Sequence, residues 1–127
     1  MREREIHRGE VYIADLGLDQ AGSVQCGVRP VVIMQNDIGN HFSMTVTVVP
    51  LTSVIKKAGM PTHYVVMNAA FLDRRSMALG ESLRTIDKKQ ILGKDPIGKL
   101  DEKDMRGVCE AVKENLGFYI PEAEDIP

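Results

Sequence analysis

Cysteine is scarce in this chain of 127 residues: Cys26 and Cys109 stand 83 positions apart, in neither a CxxC pair nor a short metal-ligand spacing. Three histidines make up neither a zinc finger nor an HExxH site, so no metal and no cofactor is expected. No run approaches the roughly eighteen apolar residues of a membrane span. The opening Met1-Arg2-Glu3-Arg4-Glu5 leads into no signal-like apolar segment. GxGxxG and GxxxxGK[ST] are both missing, which argues against the two common nucleotide-binding designs. These absences leave a cytoplasmic protein with free thiols as the expectation.

An excess of one charge is missing too. Sixteen Lys and Arg face eighteen Asp and Glu, a formal net charge of -2, which rules out a uniformly basic coat but not a local basic site. Residues 1–98 carry twelve basic and ten acidic side chains, whereas 99–127 carry four and eight. The acidity therefore belongs to the C-terminal part, leaving the body able to hold an anion. At 43% hydrophobic and 27% charged, with six prolines, the composition is that of a soluble globular protein. The length sets one domain, placed at 1–120. Residues 121–127, bracketed by Pro121 and Pro127, are expected to form a flexible acidic tail.

What the sequence does contain is a series of short β-forming runs. Val11–Leu16, Pro30–Met34, Thr45–Val49 (stopped by Pro50), Thr62–Met67 and Met77–Leu83 (interrupted by Gly80) are separated by turn residues. Gly17, Gly22 and Gly27 make 17–28 a long loop, and Asn36–Asn40 reads as a turn in which Gly39 takes a positive φ. Strands at this spacing favour a small, strongly curved sheet or barrel over repeated βαβ units. One helix is clear. Asp101 is its N-cap, Leu100 and Met105 form a hydrophobic staple, and Gly117 ends it. Met105, Val108, Cys109, Val112 and Leu116 recur at helical spacing as its buried stripe. A second short helix is expected over Asp87–Leu92, with Gln90 closing a capping box.

Several blocks, in order, carry a family likeness: Arg8-Gly9-Glu10-Val11-Tyr12, Gly27-Val28-Arg29-Pro30-Val31, Gln35-Asn36-Asp37, Val49-Pro50-Leu51-Thr52-Ser53, Pro61-Thr62-His63 and Arg84-Thr85-Ile86-Asp87-Lys88. Across about residues 7–117 the chain resembles the MazF/PemK family of toxin endoribonucleases. The resemblance implies a mainly β fold with attached α-helices, an SH3-like small barrel, joined as a homodimer. It also implies metal-independent, sequence-specific cleavage of single-stranded RNA, in which the ribose 2′-hydroxyl attacks the adjacent phosphate to leave 2′,3′-cyclic phosphate and 5′-hydroxyl ends. A cognate antitoxin would block the RNA groove with a disordered segment, and growth arrest would follow from unblocked cutting.

Residue by residue, the resemblance makes Arg29 the catalytic arginine and Thr52 the catalytic threonine. A guanidinium offers phosphate oxygens a planar fork of donors and stabilises charge gathering on them. A threonine hydroxyl donates to a non-bridging oxygen or orients the 2′-hydroxyl. Ser53 is a neighbouring phosphate contact. Base recognition is expected from loops, where unstacked bases are read along their edges: Ser23 and Gln25, with Asp19 and Gln20, then Asn36 and Asn40, and Phe42 as a stacking ring. His63 fits a structural or RNA-contacting role, and with His7 and His41 it forms no paired-histidine site. Arg74, Arg75, Arg84, Lys88 and Lys89 are further phosphate contacts. Val24-Gln25-Cys26-Gly27 departs from a more acidic, glycine-rich form of the loop, as does Ala78-Leu79-Gly80-Glu81-Ser82 from a more apolar strand. About four residues precede the family's usual start. The rival is a toxin of the same barrel class that poisons DNA gyrase.

Overall fold

Eight short strands and two helices follow one another in a computed structural model that describes residues 5–18, 22 and 25–118. The strands are β1 (Glu10–Asp15), β2 (Val28–Ile33), β3 (Thr45–Thr52), β4 (His63–Val65), β5 (Met77–Leu79), β6 (Arg84–Asp87), β7 (Ile91–Leu92) and β8 (Gly98–Lys99). The helices are α1 (Asp37–Phe42) and α2 (Glu102–Asn115). The eight strands pair into one antiparallel sheet of order β4-β5-β3-β2-β1-β7, with β6 also on β3 and β8 also on β1.

Both faces of this sheet are covered, and the strand alternation shows it. Tyr12, Ala14, Val31, Ile33, Val46 and Val48 point into one cluster with Ile86 and Ile91. Their neighbours Val11, Val32, Met34, Val49 and Leu51 point into a second cluster with Val108 of α2. A strand buried on both faces reads as a continuous apolar run rather than an alternating one, which is how Val31-Val32-Ile33-Met34 arises. Each fully buried valine or leucine contributes about 1.5–3 kcal/mol. The mainly β architecture with attached helices is as expected, the sheet forming a half-barrel.

Four local expectations are corrected. Asn36–Asn40 is not a turn but the start of α1: the Asn36 side chain caps Gly39 N–H at 2.8 Å. Gly39 has no positive φ, and a Cβ there would meet the Gln35 side chain at 3.1 Å. Pro50 does not stop β3, because it falls where β3 exchanges β6 (paired through Val48) for β5 (paired from Leu51). Proline is tolerated at such a break in a ladder. The expected helix at Asp87–Leu92 is a single 3-10 turn, Lys88–Gln90, with the Asp87/Gln90 capping box in place and β7 following at once. Of the expected α2 stripe, Val108 is buried and Met105, Cys109 and Val112 pack half-buried against the same cluster, but Leu116 is 55% exposed, and Asp104 and Ala111 are the further buried positions. The start and stop of α2 are as read: Asp101 caps Asp104 N–H at 2.8 Å. At the other end Gly117 takes φ 77°, so that Gly117 and Phe118 N–H bond the carbonyls of Glu114 and Lys113. The 121–127 tail lies outside the described residues.

Candidate active site

The site is set by strand register. β2 and β3 pair Val31 with Pro50, Val32 with Val49 and Ile33 with Val48. Continuing that register toward the open end places Arg29 opposite Thr52, and residues directly opposite one another share a sheet face. Both line a cleft of about 740 Å³. β1 backs Arg29 through Ala14, and β5 flanks Thr52 through Met77.

Arg29 is held before any substrate arrives. Its Nε donates to the Cys26 carbonyl at 2.9 Å, and its Nη1 donates to the Gln25 side-chain oxygen. Nη2 has no partner among the described residues. The loop that supplies Cys26 and Gln25 is closed at its base. Leu16 N–H bonds the Gly27 carbonyl at 2.9 Å and Gly27 N–H the Gly17 carbonyl at 2.7 Å, both glycines taking the positive φ that this closure needs. Arg84 of β6 braces the same neck, donating to the carbonyls of Gln25 at 3.1 Å and Leu16 at 3.5 Å. Thr52 Oγ1 accepts from Val54 N–H at 3.1 Å, which leaves its own proton to donate elsewhere.

Of the residues named from sequence, Gln25, Arg29, Thr52 and Ser53 share the cleft, and Arg74 joins them. Arg84 serves as a brace for the loop. Asn36 caps α1, and Asn40 is buried, its Nδ2 donating to the Gln35 carbonyl at 2.9 Å. Asn40 and Phe42 line a separate hollow of about 710 Å³ with Lys88 and Lys89. His63 lies in neither, bonded to Glu81 Oε2 at 2.7 Å and the Lys57 carbonyl at 2.9 Å. Burial opposes its charged form, but these two acceptors outweigh it and raise its pKa. Arg75 does not line the cleft, and Ser23, Asp19 and Gln20 lie outside the described residues. Sequence reasoning missed Phe71, Leu72 and Asp73, which reach the cleft from the loop between β4 and β5. The one signal was the charged triplet Asp73-Arg74-Arg75 in a stretch with neither strand nor helix periodicity.

Two guanidiniums and one carboxylate face this cleft, so its local balance is positive in a chain of formal charge -2. Such a site suits a phosphodiester, with apolar Val28, Val54 and Ile97 beside it for bases. Among the described residues no group of three or more His, Cys, Asp or Glu could hold a metal ion, and no helix is long and apolar enough to cross a membrane.

A family model described as PemK-like, MazF-like toxin of type II toxin-antitoxin system matches residues 7–116. The chain is 44% identical over 115 residues to a curated Endoribonuclease MazF of Staphylococcus saprophyticus, covering 90% of this chain and 93% of that one. Its fold is shared by an endoribonuclease solved in complex with its cognate antitoxin from Mycobacterial species, at TM-score 0.74 and 24% identity over 91% of this chain and 99% of that one. It is shared equally by MazF from Deinococcus radiodurans, at TM-score 0.75 and 19% identity over 91% and 99%.

Proposed function

Because this chain belongs to the PemK-like, MazF-like toxins of type II toxin–antitoxin systems, we propose that it is an endoribonuclease toxin that cuts single-stranded RNA at a preferred short sequence without a metal. The observation that carries this reading is the juxtaposition of a pre-oriented Arg29 with Thr52 across β2 and β3, in a cleft of positive local charge.

The ribose 2′-oxygen attacks the adjacent phosphorus while the bond from phosphorus to the 5′-oxygen breaks. The 2′-oxygen loses its proton, and the departing 5′-oxygen gains one. The products are a 2′,3′-cyclic phosphate and a 5′-hydroxyl. Arg29 stabilises the charge that builds on the non-bridging oxygens, acting from a fixed position in the manner of an oxyanion hole. A guanidinium offers a planar fork of donors and no acceptor, so Arg29 is an electrostatic stabiliser rather than a general base. Thr52 donates its hydroxyl to the same phosphate or orients the 2′-hydroxyl. Ser53 adds a phosphate contact, and Gln25 with its loop reads bases. The active form is a homodimer, and a cognate antitoxin with a disordered segment covers the RNA groove.

Incubation of the protein with a long unstructured RNA in EDTA, followed by sequencing of the cut ends, tests this. Discrete cuts at a recurring motif with cyclic-phosphate ends are expected, and Arg29→Ala and Thr52→Ala should each slow cutting by about 10²–10³-fold. Cutting by Arg29→Ala at the wild-type rate would sink the site assignment. An uncut RNA pool together with inhibition of purified gyrase would move the protein to the gyrase-poisoning class.

A further inference from the structure

Asp104 is a charged residue on the buried face of α2, with only 1% of its surface exposed. Its partners lie more than thirty residues earlier in the chain. Oδ1 accepts from the Tyr64 hydroxyl at 2.6 Å and from Met67 N–H at 2.9 Å, and Oδ2 accepts from Asn68 N–H at 2.9 Å. Asp101, one turn before, accepts from the Asn68 side chain at 2.9 Å. Met67 and Asn68 open the loop between β4 and β5. That loop is closed at its base, where Val66 N–H bonds the Ser76 carbonyl at 2.9 Å. Its far part carries Phe71, Leu72, Asp73 and Arg74 into the cleft that holds Arg29 and Thr52.

The surroundings are shaped to fit this tether. The Tyr64 ring lies where a side chain at residue 107 would stand: a Cβ on Gly107 would fall 2.1 Å from it. Further along the loop, the Phe71 ring occupies the space over Gly98 of β8 in the same way, at 2.2 Å. The loop is thus fastened at 67–68 by α2 and at 71 by β8, and Arg74 follows three residues later. A buried carboxylate taking two backbone amides from one loop fixes that loop's entry angle, because each lost bond would leave a buried polar group unmatched.

We propose that Asp104 is a positioning residue for RNA binding: its buried carboxylate ties α2 to the loop that presents Leu72, Asp73 and Arg74 to the substrate cleft. It touches no substrate itself. Arg29 and Thr52 stand on β2 and β3, outside the tether, so the chemical step is independent of it. For its kinetic consequences the proposal rests on the endoribonuclease reading.

The test compares full-length wild type, Asp104→Asn, Tyr64→Phe, Arg74→Ala and the Asp104→Asn/Arg74→Ala double variant. Hydrogen–deuterium exchange over 66–76 should speed up about ten-fold in Asp104→Asn and less in Tyr64→Phe, with β2 and β3 unchanged. KM for RNA should rise roughly ten-fold while kcat stays within about two-fold. Arg74→Ala should raise KM in the wild-type background and add little in Asp104→Asn, a coupling that a purely stabilising role would not create. Unchanged loop exchange, an unchanged KM or strictly additive effects would overturn the proposal. Should Asp104→Asn fail to fold, Tyr64→Phe carries the same comparison. Should wild type cut no RNA, the endoribonuclease reading fails, and loop exchange with affinity for a 2′-deoxy oligonucleotide still decides the tether.

Discussion

Both ring nitrogens of His63 face acceptors, the Lys57 carbonyl at Nδ1 and the Glu81 carboxylate at Nε2. Satisfying both requires a proton on each nitrogen, which is the charged form, in a side chain only 8% exposed. Burial works against that charge, yet the bonds win and the pKa rises above the ordinary 6.5. A raised pKa contributes stability that is fully present below the unfolded value and is lost as pH climbs through the folded one. Wild type should therefore melt a few degrees above Glu81→Gln at about pH 5.5, and the gap should close by about pH 8.5. A gap that is the same at both values would show that the pair does not titrate with folding. At this scale the sequence was only partly informative. Arg29 and Thr52 were legible through their flanking blocks. Asn36 and Asn40 had amides suited to bases, but one caps α1 and the other is the buried residue of that helix. Nothing local distinguishes an amide that meets a ligand from one that meets its own backbone.

Among the elements, α2 was the most legible, since caps and staples act within a few residues of themselves. Its register against the sheet was not. Leu116 has the right spacing for the stripe but falls at the C-cap, in solvent, whereas Asp104 has the wrong chemistry for a core yet is buried by its partners. Gly107 shows how tertiary contact overrides propensity. Alanine normally stabilises an exposed helix position by about 1 kcal/mol over glycine. Here its Cβ would lie 2.1 Å from the Tyr64 ring. Gly107→Ala is expected to cost about 1–3 kcal/mol through overpacking, read from urea denaturation midpoints. A midpoint equal to or above wild type would mean that the ring moves aside without loss. The short elements α1 and the 3-10 turn after β6 escaped full reading for a related reason. Six residues or fewer carry no periodicity, only caps.

For the whole molecule, the barrel class followed from the spacing of β runs, while the exchange of β3 between two partners did not, because Pro50 is a stop signal until its neighbours are known. Large apolar side chains remain in solvent at Ile38, Phe42 (80% exposed) and Met44, on and beside α1. A second copy of the chain covering such surface accords with the inferred homodimer. Light scattering at micromolar concentration should give a mass about twice 14.1 kDa, and a monomer mass would contradict the homodimer. The neck formed by Leu16, Gly17 and Gly27 has a separate consequence at this scale. Because that neck is hydrogen-bonded to itself and braced by Arg84, the number of residues between its two sides is uncoupled from the register of β1 on β2. Loop closure grows costlier only slowly with length, by about 0.6 kcal/mol per doubling. Insertions and deletions among residues 18–24, which leave Gln25 and Cys26 on Arg29, should thus cost the β1–β2 register little, and a lineage of such proteins can vary this loop in length while keeping the strand pairing that sets Arg29 opposite Thr52.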